Sequence, residues 1–297
     1  VYDAVARPAV SSTLAGFNAS IIAYGHTGAG KTHTMEGAPD GAQRGIIPRA
    51  VADIFEHRSA RPGARRFLVR ASYLQIYNEV LSDLLKPGRN GLAIREDRKK
   101  GLRAEGLSEW VVRSPQISSQ VDGLLRRGAE TRATAATAAN DASSRSHAVF
   151  CLTFEQSEAS GGGEACPRGS VFRSSKLNLV DLAGSERLRV SGASGQRLEE
   201  CKYINGSLAA LGNVVAALTS GTARHARHVP YRDSKLTRLL ADSLGGNCKT
   251  TMIACVAAAS MAETVSTLKF ASRARHVHNS ARINEQIDQR TALEAER

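Results

Sequence analysis

At 297 residues, with 42% hydrophobic and 23% charged side chains, the chain is long enough to bury a full core and too apolar for wholesale disorder. Its 40 Lys and Arg against 28 Asp and Glu leave a net charge of +12. That excess calls for a polyanionic partner, be it nucleic acid, an acidic membrane or an acidic protein surface, and does not choose among them.

A loose apolar stripe of Val5, Val10, Leu14 and Phe17 predicts a helix over residues 1–19, leading straight into a short strand, Ile21 to Tyr24. A glycine-rich turn follows, and then the first turn of a helix. Gly25, Gly30, Lys31 and Thr32 satisfy G-x-x-x-x-G-K-[ST], with a strand in front as that pattern requires. In such a loop backbone N–H groups close around phosphates and a helix start adds partial positive charge. Lys31 is expected on the β- and γ-phosphates and the Thr32 hydroxyl on Mg²⁺. An accidental glycine-rich turn is the alternative, and the preceding strand weighs against it.

Residues 37–45 read as a loop, and Ile46, Ile47 and Pro48 open a helix running to Phe55. Residues 65–85 alternate and are rich in Val, Tyr and Ile, predicting a strand that runs into a helical turn at 79–85. Short strands punctuated by Gly101 and Gly106 are expected over 92–112, then a helix over 116–129. A strand at 148–154, a flexible Gly/Ser loop at 157–170 and an apolar strand at 176–180 ending on Asp181 come next. Apolar residues at 198, 201, 204, 208, 211, 214 and 218 have helical spacing and predict a long helix over 196–219. Gly206 and Gly212 inside it each cost about 1 kcal/mol relative to Ala, so packing must hold it. A helix over 234–244 stopped by Gly245 and Gly246, a buried strand at 250–257 and a last helix at 263–278 complete the pattern. Strands alternating with helices predict an α/β fold with a mostly parallel central sheet covered on both faces. No internal repeat or second domain stands out.

Two more polar stretches carry chemistry. NDASSRSH (140–147) is a hydroxyl-rich loop before a strand; alone, it could be an ordinary turn with capping serines. DLAGSE (181–186) begins where an apolar strand ends, the position at which a phosphate-loop enzyme holds Mg²⁺, often through water. Gly184 has no side chain to keep its N–H from a γ-phosphate. Five scattered cysteines with no C-x-x-C pair suit a reducing compartment. There is no signal peptide or bilayer-length apolar run, so the cytosol is the expected setting.

GHTGAGKT, NDASSRSH and VDLAGSER resemble the phosphate loop and the two switches of a kinesin motor domain. The likeness continues through INGSLAALGNVVAAL, HVPYRDSKLTRLLADSLGGNCKTTMIACV and ETVSTLKFASRA, and so runs from residue 1 to about 285. Myosins and GTPases share the phosphate loop but lack the SSRSH and YRDSKLTRLL stretches. The resemblance implies a phosphate-loop NTPase fold and a microtubule-stimulated ATPase that converts ATP hydrolysis into movement, with ATP and Mg²⁺ as cofactors. It implies a motor domain over 1–278, a neck linker over 279–285 and the possible start of a stalk helix over 286–297.

Carried over by residue, Gly25, His26, Thr27, Gly28, Ala29, Gly30, Lys31, Thr32 and His33 would bind ATP. Thr32 and Ser144 would hold Mg²⁺, with Asp181 acting through water. Ser143, Asn140 and Gly184 would line the γ-phosphate. Arg145 and Glu186 would form the ion pair that closes the site around ATP and orients the attacking water. The microtubule face would include Arg187, Arg189, Arg197, Lys202, Arg224, Arg227, His228, Tyr231, Arg232, Lys235 and Arg238. Tubulin's acidic surface would account for the charge excess without nucleic acid; a solvated basic face is the alternative. Ile283 and Asn284 would dock the neck linker, an arrangement that implies plus-end direction. Direct membrane contact is not expected, a homodimer through a stalk is, and the cytoskeleton is the implied location.

The chain departs from the family's usual pattern at His26 (Gln), Ala29 (Ser), Gly206 (Lys), Glu199 (a basic residue) and Thr131 (Asn). The family also carries two strands and an arginine-proline segment, the wall for adenine, before the helix that begins here at Val1. The expectation is a fragment or an incomplete gene model with weakened discrimination of ATP from GTP. A microtubule-binding module without competent turnover is the alternative reading. A nucleic-acid enzyme is disfavoured by the 5% aromatic content.

Overall fold

The structure, a computed structural model, describes residues 1–38, 41–59, 65–97, 101–112, 117–134, 142–158, 171–186, 196–220 and 228–287. Asn140, Arg187, Arg189, Arg224 and Arg227 lie outside the described residues, as do residues 288–297 of the expected stalk. At Ser143 and Arg197 the description stops at the backbone.

Helix α1 (Tyr2–Leu14) leads into β1 (Ala19–Tyr24), every residue of which is buried. Alternation along β1 serves two cores at once, which is why it reads as an unbroken apolar run. Ala19, Ile21 and Ala23 face a layer with α1, α3 (Ile46–Ser59) and α4 (Ile117–Thr134). Ile22 and Tyr24 face a second layer with α6 (Gln196–Thr219), α7 (Lys235–Leu239) and α8 (Met261–Ala274). The short α2 (Lys31–Met35) and α5 (Ala142–Arg145) lie at the site.

The sheet runs in the order β3 (Val80–Asp83), β2 (Arg65–Tyr77), β7 (His147–Glu158), β8 (Val171–Asp181), β1, β9 (Lys249–Ala254). It is mixed, not mostly parallel: β1 is parallel to β8 and β9, while β2–β3, β2–β7 and β7–β8 are antiparallel. Both β6 (Trp110–Val112) on β2 and β10 (Glu285–Ile287) on β8 are antiparallel too. A small ribbon of β4 (Ile94–Asp97) and β5 (Gly101–Ala104) stands apart.

The helical turn expected at 79–85 is the strand β3. Asn78 and Glu79 adopt φ of 49° and 58°, the left-handed pair of a two-residue hairpin turn, which joins antiparallel strands directly. Glu79 also accepts a hydrogen bond from the backbone N–H of Lys235 at 2.7 Å, tying the hairpin to the start of α7. Helix α7 stops at Leu239, short of the expected 244, and the chain continues in turns to Gly245 and Gly246. Strand β9 lies at the end of the sheet order and is mostly half-buried, not the buried strand expected. Helix α1 stops at Leu14, short of the expected 19, and α8 at Ala274, short of the expected 278, while α3, α4, β7 and β8 run longer than expected and α6 has the expected bounds. Of the loop expected at 157–170, residues 157 and 158 belong to β7 and the rest lie outside the described residues. Among the described residues no helix is long and apolar enough to cross a membrane.

Candidate nucleotide site and its outputs

The three parallel strands β8, β1 and β9 end side by side. The phosphate loop and residues 182–186 leave from the ends of β1 and β8, and residues 142–146 lead into the start of the antiparallel β7 beside them. Gly25 turns the chain at the tip of β1 with φ 153°; a Cβ there would lie 2.2 Å from the Cys255 carbonyl oxygen. No larger residue fits this approach. Its own carbonyl accepts from Ser185 N–H at 3.0 Å, so the loop is clamped by the segments following both neighbouring strands.

Lys31, only 6% exposed, donates to the His26 carbonyl at 2.9 Å. Burial pushes its pKa down, opposed by the nearby Asp181 and Glu186 carboxylates. Thr32 Oγ1 donates to Asp181 Oδ2 at 2.7 Å, and Asp181 Oδ1 is buried with no hydrogen-bond partner. A hydroxyl beside a carboxylate with an unused oxygen is a hard-oxygen donor set of the kind that fits Mg²⁺. His33 is exposed and lines a cavity of about 450 Å³ with Tyr2, Gln43 and Arg44.

The switch stretches meet at backbone level: Gly184 N–H donates to the Ser144 carbonyl at 2.9 Å. A Cβ on Gly184 would sit 2.3 Å from Thr27 Oγ1 and 2.4 Å from the Glu186 carboxylate, so a larger residue would displace the Glu186–Thr27 contact. Glu186, expected to pair with Arg145 when the site closes, instead places its carboxylate on Thr27. It accepts from the Thr27 backbone N–H at 2.8 Å and from the Thr27 hydroxyl. Thr27 offers two adjacent donors matched to the two carboxylate oxygens, and that geometry wins here. Arg145 is half-buried on α5.

Several functional positions were not singled out in sequence. Arg132, from α4, donates to the Ser146 hydroxyl at 3.0 Å and to its carbonyl at 2.8 Å, and pairs with Asp181 at 3.3 Å. Both members of that ion pair are 5% exposed, so removing Arg132 alone would strand a buried carboxylate. The sequence signal for Arg132 is the family's N-R pair, in which Thr131 replaces the Asn. His147, 3% exposed, accepts from Ala183 N–H at 3.0 Å and sits 2.8 Å from Ser207 Oγ on α6.

The kinesin motor domain family matches residues 1–277 of the chain. The chain belongs to the kinesin family. The kinesin heavy chain of Gibberella moniliformis is 45% identical over 291 residues, 97% of this chain and 30% of the relative. Kinesin-like protein klp-20 of Caenorhabditis elegans is 47% identical over 289 residues, 96% of this chain and 42% of the relative. The chain thus spans less than half the length of these curated relatives. Among solved structures, a fast kinesin is 44% identical with a TM-score of 0.83, covering 94% of this chain and 76% of that one. A KIF14 dimer, in a two-heads-bound state with AMP-PNP and in complex with a microtubule, is 39% identical with a TM-score of 0.84, covering 99% and 81%.

Within this kinesin fold, the basic positions fall along one layer. Lys202 is exposed on α6, and His228 and Arg232 are exposed before and within the 3-10 turn Tyr231–Asp233. Tyr231, Lys235 and Arg238 are half-buried, and the Tyr231 hydroxyl donates to the Leu244 carbonyl. The turn packs against both α6 and α7. The segment expected as a linker lies on the core. Ile283 bridges to Phe17, Asn284 N–H donates to the Gly16 carbonyl at 2.9 Å, and β10 continues along β8. Gln286 and Ile287, expected in a stalk helix, are extended in β10, because their backbone pairs with Phe172 and Val171. Asn284 is held by Asn18 at 3.1 Å and Asn247 at 2.8 Å, partners that carried no sequence signal.

Proposed function

We propose that the chain is the ATP-hydrolysing motor unit of a microtubule-based motor. The observation that carries this reading is the meeting of buried Lys31, Thr32 and the half-satisfied Asp181 at the ends of two parallel strands, within a kinesin fold. ATP would bind across residues 25–33, with Lys31 releasing the His26 carbonyl to meet the β- and γ-phosphates. Mg²⁺ held by Thr32 and Ser144, with Asp181 through water, would withdraw charge from the phosphates. Ser143, Asn140 and Gly184 would line the γ-phosphate. Arg145 and Glu186 would close the site and orient a water for in-line attack on the γ-phosphorus, releasing ADP as the leaving group.

The partner is the microtubule, whose acidic surface suits Lys202, Arg232, Lys235, Arg238 and the net charge of +12. The relative solved on a microtubule supports this assignment. Work would be delivered by release and docking of residues 279–287, and a stalk beyond them would pair two copies. Association with the microtubule cytoskeleton follows.

The test is phosphate release with and without microtubules. The chain should hydrolyse ATP slowly alone and much faster on microtubules, and Lys31→Ala or Thr32→Asn should lower the stimulated rate by about a hundredfold or more. Microtubule binding with no turnover would make the chain a binding module instead.

A further inference from the structure

The expected site leaves one buried polar connection unused. His147 begins β7 directly after the Ser144–Ser146 stretch and is 3% exposed. Its Nδ1 accepts from Ala183 N–H at 3.0 Å. Its Nε2 lies 2.8 Å from Ser207 Oγ, whose hydroxyl donates to the Ile204 carbonyl at 2.9 Å. With the hydroxyl proton committed to Ile204 and Nδ1 committed as acceptor, the ring must be the Nε2–H tautomer, donating to Ser207. Both ring nitrogens are therefore used, one on each of two elements that otherwise belong to different parts of the machine.

Ala183 precedes Gly184, the residue whose N–H bonds Ser144 and would meet a γ-phosphate. Ser207 lies in the middle of α6, the helix that also carries exposed Lys202 and Tyr203. We infer that His147 is a positioning residue that couples movement of the Ala183–Gly184 backbone to α6, and so couples the nucleotide site to the microtubule face. The inference rests on the motor reading above.

The geometry favours a link over simple filling of space. Ala183 and Ser207 are buried, so a change that breaks either bond leaves an unsatisfied polar group, and the ring follows whichever element moves. Gly206 sits beside Ser207, and a Gly-Ser pair is a place where a helix bends at low cost. Gly212 lies further along the same helix. Movement of the 183–184 backbone therefore meets a helix that can yield at the point of contact.

The experiment measures basal and microtubule-stimulated ATP turnover, nucleotide affinity and thermal melting for the whole chain and its Ser207→Ala, His147→Asn and double variants. Ser207→Ala removes the acceptor on α6 without touching the nucleotide site. It should lower stimulated kcat by about tenfold, a coupling of ordinary allosteric size, and leave basal turnover and nucleotide affinity within about twofold. His147→Asn keeps an acceptor for Ala183 but cannot reach Ser207, and the double variant should be no worse than Ser207→Ala alone. A stimulated rate in Ser207→Ala equal to wild type overturns the link, as does a parallel fall of basal and stimulated rates. A wild-type chain that microtubules do not stimulate overturns the motor reading itself and the link with it.

Discussion

Two groups compete for the Glu186 carboxylate: the Thr27 donors it meets here, and the Arg145 guanidinium expected in the closed site. If closure depends on the second pairing, Arg145→Ala and Glu186→Ala should each cut stimulated turnover by about a hundredfold while nucleotide still binds. The double variant should be far less impaired than the product of the two, and strict multiplicativity would show that they act separately. His147 makes a second residue-scale prediction, through pH. Burial above all, with the Arg132 and Lys31 charges adding, lowers its pKa from 6.5 to about 3. The unfolded chain takes up a proton below pH 6.5 and the folded chain does not until about 3. Stability from the neutral ring is therefore complete above pH 6.5 and falls as pH drops, by about 1.4 kcal/mol per unit. Urea unfolding between pH 6.5 and 5 should show a shallower loss in His147→Asn than in wild type, and equal slopes would refute the assignment.

Among the elements, β10 and the residues before it depend on a cluster of asparagines. Asn284 bonds Asn18, Asn247 and the Gly16 carbonyl, and Asn247 also accepts from Arg282 N–H at 2.7 Å. These part-exposed bonds are worth about 1 kcal/mol each, so Asn284→Ala should weaken docking by about 1–3 kcal/mol. Hydrogen exchange should then accelerate at the amide of position 284, which donates to the Gly16 carbonyl, and at the Ser174 amide, which donates to the Asn284 carbonyl, with the rest of β7 and β8 unchanged; unaltered protection would place the anchor elsewhere. The hairpin at Asn78 and Glu79 works at the same scale. Its left-handed backbone is repaid by the Glu79 bond to the start of α7, which fixes the end of the helix that carries Lys235 and Arg238.

For the whole molecule, the mixed sheet separates two cores, one under α1, α3 and α4 and one under α6, α7 and α8. The candidate nucleotide site lies at the strand ends, while the expected basic positions among the described residues follow the second layer. Microtubule binding should accordingly be electrostatic and one-sided. Neutralising Arg232, Lys235 and Arg238 together should weaken co-sedimentation by about tenfold at low salt and flatten its salt dependence. Such charges are screened over about 8 Å at physiological ionic strength, so an unchanged salt response would move the footprint to another face.

The sequence by itself determined the elements whose signal is local. The phosphate loop, Asp181 at a strand end and the full length of α6 all follow from spacing and periodicity within one stretch. Pairing was decided elsewhere. Whether β7 and β8 run parallel or antiparallel depends on how residues far apart in the chain meet, and apolar runs carry no sign of direction. The turn at Asn78 and Glu79 was hidden because neither residue is glycine, and the bond that holds Glu79 reaches 156 positions along the chain. Arg132, His147, Ser207, Asn18 and Asn247 are ordinary polar residues in sequence. Only packing against the sheet removes water from Arg132, His147 and Ser207 and brings Asn18 and Asn247 against residues 282–284, and that is a property of the folded chain alone.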